Sequence, residues 1–269
     1  MSESAARWLD RLGHGDSPVH RLDARAKLAA VAAFVLCVAS FPRYEVTGLL
    51  PFFLLPAALA RAGRVPPRPV LRLLAAASPF ALLVAVWNPL LDRAPRALAP
   101  GVLVAGGLLS FASLVLRFLL CTGAALLLVA TTSLPDLLRG LGQLGLPRPF
   151  VVQVQLLHRY LFLLVDEGRR VAEARALRDP SRRRPTLRTG KRMLASLLWR
   201  TWERGERIHL AMRARGFDGR LPALAPARLR TADVLFAACV TAACVAARLL
   251  PLSRWLADAF AAAGWGATS

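Results

Sequence analysis

Twenty residues at positions 203–222, ERGERIHLAMRARGFDGRLP, hold five arginines and three acids. A guanidinium is planar, keeps its charge at an interface and offers a fork of donors that pairs two-pronged with a carboxylate or phosphate. Arginines on a helix that ends in the aqueous phase therefore suit an acidic surface, either anionic lipid headgroups or the acidic groove of a soluble protein. Nucleic acid is a poorer match. The neighbouring aromatics, Trp199 and Trp202, fall on the apolar side of the helix, and no nucleic-acid-binding motif is present.

Other chemistries find no support. No GxxxxGK[ST] loop occurs, so the chain does not bind ATP in the P-loop manner and any ATP-derived work must come from elsewhere. The four histidines, His14, His20, His158 and His209, lack metal-ligand spacing, and a single imidazole such as His20 makes no site. Cys37, Cys121, Cys239 and Cys244 lie inside apolar runs and read as small buried hydrophobes. Ser/His/Asp and Cys/His nucleophile motifs are missing as well. The expectation is a non-catalytic chain that binds no cofactor or metal of its own.

The elements that must carry the arginines follow from hydropathy. Of 269 residues 56% are hydrophobic, and the formal net charge is +20. Long acid-free apolar runs alternate with arginine-rich connectors, the pattern of a polytopic helical membrane protein. Apolar windows at about 27–41, 45–61, 69–91, 101–131 and 232–250 predict about five transmembrane helices, the first two short and joined by a tight turn at FPRYE, 41–45. The stretch 87–100 reads as a loop, and the fourth run is longer than a span needs and contains Arg117, so that its first half is expected either to lie along the outer interface or to tilt. The apolar stretch 150–167 is not counted as a span, because Gln153, Gln155, His158 and Arg159 are costly at bilayer depth.

Basic residues ahead of the first run and in RAGRVPPRPVLR, 61–72, place the N-terminus in the cytoplasm by the positive-inside rule, and no removable signal peptide is expected. Residues 166–230 hold 18 of the 36 Lys and Arg against seven acids, so they too belong inside. Three regions result: 1–131 with four spans, a cytoplasmic region 132–231, and 232–269 with the last span and a short interfacial tail. Asp179-Pro180 and Pro185 divide the cytoplasmic region into two main helices with a basic linker between them. In the second, about 191–215, Leu194, Leu198 and Trp202 form an apolar stripe, and Glu203 and Arg207 stand at i, i+4. Gly216 fits the left-handed position after a helix end, with Phe217 folding back towards Met212 and Arg215 at the negative end of the helix dipole.

Three segments taken together, SPVHRLDARAKL (17–28), TTSLPDLLRGLGQLGLPRP (131–149) and ERGERIHLAMRARGFDGRLP, resemble the transmembrane T-component of energy-coupling-factor transporters, the cobalt-type CbiQ family in particular. The resemblance implies an all-α integral membrane protein with a cytoplasmic coupling domain of two main helices. It implies a multi-pass subunit of the inner (plasma) membrane serving an ATP-binding-cassette importer of cobalt or nickel. Two ATPase subunits would hold ATP and Mg, and a separate CbiM-like membrane subunit would bind the substrate. Each coupling helix of the family carries a short arginine-centred motif that enters a groove of an ATPase. Ala214-Arg215-Gly216 matches the second motif unaltered, while the first falls on Ala174-Arg175-Ala176 or on Leu177-Arg178-Asp179. LDAR at 22–25 departs from the family's usual Leu-Asp-Pro-Arg. The alternatives are a T-component serving vitamin-binding subunits and a non-transport scaffold whose basic domain binds membrane lipid.

Overall fold

The computed structural model describes residues 15, 17–91, 95–99, 102–178, 186–219 and 229–249. The interfacial tail expected beyond 250 and the basic linker at 179–185 lie outside these residues. The described chain is built of helices: α1 (Ala24–Ala39), a 3-10 turn (Thr47–Phe53) running into α2 (Leu54–Ala62), α3 (Pro67–Leu91), α4 (Gly106–Thr131), α5 (Leu134–Gln143), α6 (Arg148–Arg178), α7 (Leu187–Ala214) and α8 (Thr231–Leu249). A short antiparallel hairpin, β1 (Pro95–Ala99) and β2 (Val102–Ala105), joins α3 to α4. The chain divides into two compact units, Met1–Gly140 with Ala227–Ser269, and Leu141–Pro226.

The first unit is a membrane bundle. Ala30, Phe34 and Val38 recur every four residues and so share one face of α1. They meet Leu120 and Ala124 of α4, Val240 and Cys244 of α8, and Leu49 and Phe52 of the 3-10 turn in one core. Phe52 sits 5.8 Å from Phe34 and stands edge-on to Phe41 at 5.4 Å, a geometry in which the positive rim of one ring meets the negative face of another. Pro51 lacks an amide donor, which accounts for the 3-10 winding ahead of α2.

Among the described residues three helices are long and apolar enough to cross a membrane, Pro67–Pro89, Gly106–Thr131 and Thr231–Leu249. Their outward faces are those of lipid-bathed helices: Phe80 is 77% exposed and Leu83 66%. The first two of the five predicted spans appear as shorter apolar helices. The 16 residues of α1 reach about 24 Å, less than the roughly 30 Å of hydrocarbon. The stretch 150–167 lies within α6 and is not among the three.

The hairpin was not anticipated. Hydropathy places a loop at 87–100 and starts the fourth apolar run at 101, whereas strands occupy Pro95–Ala99 and Val102–Ala105 and helix starts at Gly106. Four or five apolar residues beside prolines fit either a strand or a frayed helix end, and periodicity cannot separate them over so short a length. Arg117 shows where the hairpin stands. Its Nη2 donates to the Pro42 carbonyl at 2.6 Å, at the turn after α1, and Arg248 at the end of α8 donates to Ser40 O at 3.3 Å. The eleven residues of α4 before Arg117 therefore continue about 16 Å past that turn.

At the opposite end the bundle closes on a polar cluster. Asp23 caps α1, accepting from Arg25 N at 2.8 Å, and Ala24 takes the first helical position, where proline is at home and alanine serves equally. The LDAR departure thus leaves the turn intact. Lys27, 4% exposed, donates through Nζ to Thr131 O at 2.8 Å, Thr132 Oγ1 at 3.3 Å and His20 O at 3.4 Å. The carboxylate of buried Asp233, in the first turn of α8, accepts from Asp23 N and Arg230 N. Ser133 caps α5, its hydroxyl accepting from Asp136 N and donating to the Asp136 carboxylate.

Candidate functional site

The second unit is built on α6 and α7. The first ends in Arg178 and the second is capped by Arg215, and the two helices pack against each other. The Glu167 carboxylate accepts from Arg200 Nη1 at 3.1 Å across the pair. One open groove of about 500 Å3 runs from that ion pair to Arg178 and is lined on the other side by Met193 and Ser196. A second lies where Leu163 and Leu164 face Ile208 and Ala211. As α6 advances from 163 to 178, its partner runs backwards from 211 to 193, so the helices are antiparallel. Their C-termini consequently point to opposite ends of the unit. From Ser196, opposite Arg178, to Arg215 is 19 residues, about 28 Å of helix.

The sequence of α7 explains how Arg215 is presented. Thr186 caps its start, accepting from Thr189 N. At its end Gly216 N donates to Arg213 O and Phe217 N to Met212 O, both at 3.0 Å, with Gly216 at φ +76. This is the Schellman arrangement anticipated from the glycine and phenylalanine. Arg215 is the cap residue itself, exposed together with Ala214 and Gly216. A Cβ on Gly216 would meet nothing within 4 Å, so any cost of substitution is conformational. Gly216→Ala is expected to cost about 1 kcal/mol and to speed amide exchange at 216 and 217, whereas Gly216→Asn, which tolerates the left-handed region, costs less. Unchanged exchange in the alanine variant would count against the cap.

At the other end the two readings of the first motif differ in exposure. Arg178, in the last turn of α6, is exposed; Arg175 is half-buried and already engaged in an interaction. Ala174 lines the groove alongside Arg175 and Arg178, and Ala176 is exposed. The structure thus places the two arginine-bearing ends apart rather than together.

Two features of α7 depart from the local pattern. Glu203 accepts from the Trp199 indole at 2.8 Å, so the tryptophan stands on the polar side with the acid. Leu194, Leu198 and Trp202 form the expected stripe but are 57%, 61% and 69% exposed. The Glu167–Arg200 clasp joins residues 33 apart, a separation for which no sequence spacing rule exists. Among the described residues no three His, Cys, Asp or Glu side chains gather as a metal site would require.

The family described as cobalt transport protein, CbiQ, matches residues 15–224. The chain belongs to the CbiQ family. The match takes in Lys27 with its partners His20, Thr131 and Thr132, and both arginine-bearing helix ends. Among curated proteins the chain is 33% identical over 93 residues to a putative fused cobalt transport protein CbiMQ of Methanocorpusculum labreanum, covering 34% of this chain and 16% of the relative. It is 30% identical over 109 residues to an uncharacterized protein of Methanocaldococcus jannaschii, covering 40% of this chain and 41% of that protein. The cobalt transport protein CbiQ of Rhodobacter capsulatus is 31% identical over 114 residues, covering 42% and 47%. The chain thus spans less than half the length of these curated relatives. Family membership and three described helices apolar enough to cross a membrane together make it a membrane protein.

Proposed function

We propose that this chain is the coupling subunit of an energy-coupling-factor importer, passing ATP-driven motion to a membrane subunit that captures cobalt or, failing that, nickel. The observation that carries the reading is the placement of two exposed arginine-bearing helix ends, Arg178 and Arg215, at opposite ends of one antiparallel pair. That spacing suits two separate soluble partners, each receiving one helix end in an acidic groove. The partners are then two ATP-binding-cassette ATPases holding ATP and Mg. ATP-driven approach of the two ATPases would act on both ends of the pair at once. The name of the fused CbiMQ relative supports a CbiM-like subunit as the substrate-binding partner, and so favours cobalt over the vitamin alternative. The chain then sits in the inner membrane with its N-terminus and the α6–α7 unit in the cytoplasm, as its basic residues favour. Catalysis belongs to the partners.

The test is affinity purification from the native membrane in mild detergent, with ATPase activity assayed on what co-elutes. The unaltered chain is expected to bring down ATPase. Arg215→Glu should lose most of it, and Arg178→Glu should lose more than Arg175→Glu, because Arg178 is exposed and Arg175 is already engaged. Equal ATPase recovery from all of these chains, or no ATPase with any, would overturn the coupling role in favour of a lipid-binding scaffold.

A further inference from the structure

Three described helices end with the same hydrogen-bond pattern, and one of them uses the wrong residue for it. Leu146 N donates to Leu141 O, Phe217 N to Met212 O and Val65 N to Ala60 O, each at 3.0 Å. The residue before each of these donors must adopt a positive φ. Gly145 has φ +113 and Gly216 φ +76, where a missing Cβ makes the conformation easy; at the end of α2 the position is held by Arg64, at φ +51. Among the described residues Arg64 is the one non-glycine with positive φ. An arginine held where glycine fits best is strain that an ordinary turn would shed, and retained strain points to use of the side chain.

The surroundings name that use. Val65, just after the turn, packs with Leu127 and Ala130, which pins the turn to the end of α4, while Arg64 itself is exposed. Arg61 lies in the last turn of α2, and Arg68 and Arg72 in the first turns of α3, all exposed. Between Glu45 and Asp92 these four arginines are the only ionisable charges of either sign. None of them is ion-paired among the described residues. The membrane-crossing stretch of α3 begins at Pro67, so the four guanidinia stand at the level where a bilayer presents its phosphates.

We propose that Arg61, Arg64, Arg68 and Arg72 form a binding site for the phosphate headgroup of an anionic phospholipid, with Arg64 held in a left-handed turn to reach it. Guanidinium forks match phosphodiester oxygens, and the lipid's acyl chains would lie along the exposed apolar side of α3, where Phe80 and Leu83 already face outward. The site does not depend on the coupling role, since it lies wholly within the membrane unit.

The experiment compares the full chain in nanodiscs of phosphatidylcholine alone and of phosphatidylcholine with phosphatidylglycerol, reading the thermal midpoint and the phosphatidylglycerol retained on extraction. The unaltered protein is expected to retain the anionic lipid and gain thermal stability from it. Arg64→Gly should match or exceed the unaltered midpoint in phosphatidylcholine, because the turn relaxes, yet retain phosphatidylglycerol about five-fold less well. Arg64→Lys, which keeps charge and strain but loses the fork, should keep an intermediate share of the gain, above Arg64→Gly and below the unaltered protein. An undiminished gain in Arg64→Gly would overturn the proposal. So would a gain reproduced by inorganic phosphate in phosphatidylcholine discs, which would assign the arginines to a free anion.

Discussion

Cells whose only copy of the chain carries Arg178→Glu together with Arg215→Glu are expected to take up labelled cobalt no faster than cells lacking the chain, while holding normal amounts of the protein in the membrane. The stability cost of the two changes is small. Each places an acid at the negative end of a helix dipole, a penalty of about 0.3–1 kcal/mol at an exposed site, and neither residue supplies packing to a core. The proposed interface is affected far more. Truncating one member of a buried, hydrogen-bonded charge pair costs about 2–5 kcal/mol or more, and reversal adds repulsion from the acids that the arginine formerly met. Even the lower figure is roughly a thirty-fold loss of association at each end. The losses at the two ends compound, so the double variant should fall to background, while either single reversal, weakened at one end only, retains measurable uptake. Wild-type uptake in the double variant, at unaltered protein level, would remove Arg178 and Arg215 from the transport mechanism and leave their charge to topology and lipid.

What could be read in the sequence was what depends on neighbours a few residues away. The end of α7 is the clearest instance: a glycine after a helical run, followed by an apolar residue, specifies hydrogen bonds that close within six residues, and they are found. The apolar stretches were legible for the same reason, since twenty residues of hydrocarbon-compatible side chains suffice to form a span. Failures came where two local choices lie close in energy. Residues 95–99 and 102–105 could form a frayed helix end or a hairpin, and they pair because the chain must turn back between α3 and α4. Glu203 had Arg207 one turn ahead and Trp199 one turn behind, and spacing alone does not rank those partners; the structure shows the indole bond. Contacts over long separations were out of reach altogether. Lys27 meets residues 104 and 105 positions away, and Asp23 meets Asp233 across 210. Arg64 belongs to a further class, because its turn was local but the strain shows only in a backbone angle.

The Lys27 cluster accounts for two of the three segments that first suggested the family, and it carries the largest expected effect on stability. Lys27→Met preserves the length and apolar stem of the side chain but removes the ammonium. Buried Thr131 O and Thr132 Oγ1 and half-buried His20 O then lose a donor, and Asp136, Asp23 and Asp233 lose the cation that lies in their field. An unsatisfied buried polar group costs about 1–3 kcal/mol, and breaking a buried charge arrangement by removing one partner about 3–5 kcal/mol. The expected loss is about 3 kcal/mol or more, seen as a clear fall in the thermal midpoint of the detergent-solubilised chain, larger than for Gly216→Ala. Lys27→Arg should not rescue it, since a planar fork cannot send donors to three oxygens grouped around a single point. The effect follows from what the lysine joins. His20 lies ahead of α1, Thr131 ends α4 and Thr132 leads into α5, while Asp23 is bonded to the start of α8. One ammonium and two carboxylates therefore fix the register of three helices at the end of the bundle where α5 begins. Apolar faces sliding on one another in lipid would define that register only loosely, because the hydrocarbon around them competes on equal terms for van der Waals contact. A midpoint unchanged by Lys27→Met would mean that side-chain packing around Phe34 and Leu120 holds the helices alone, and that the cluster is a by-product of their meeting.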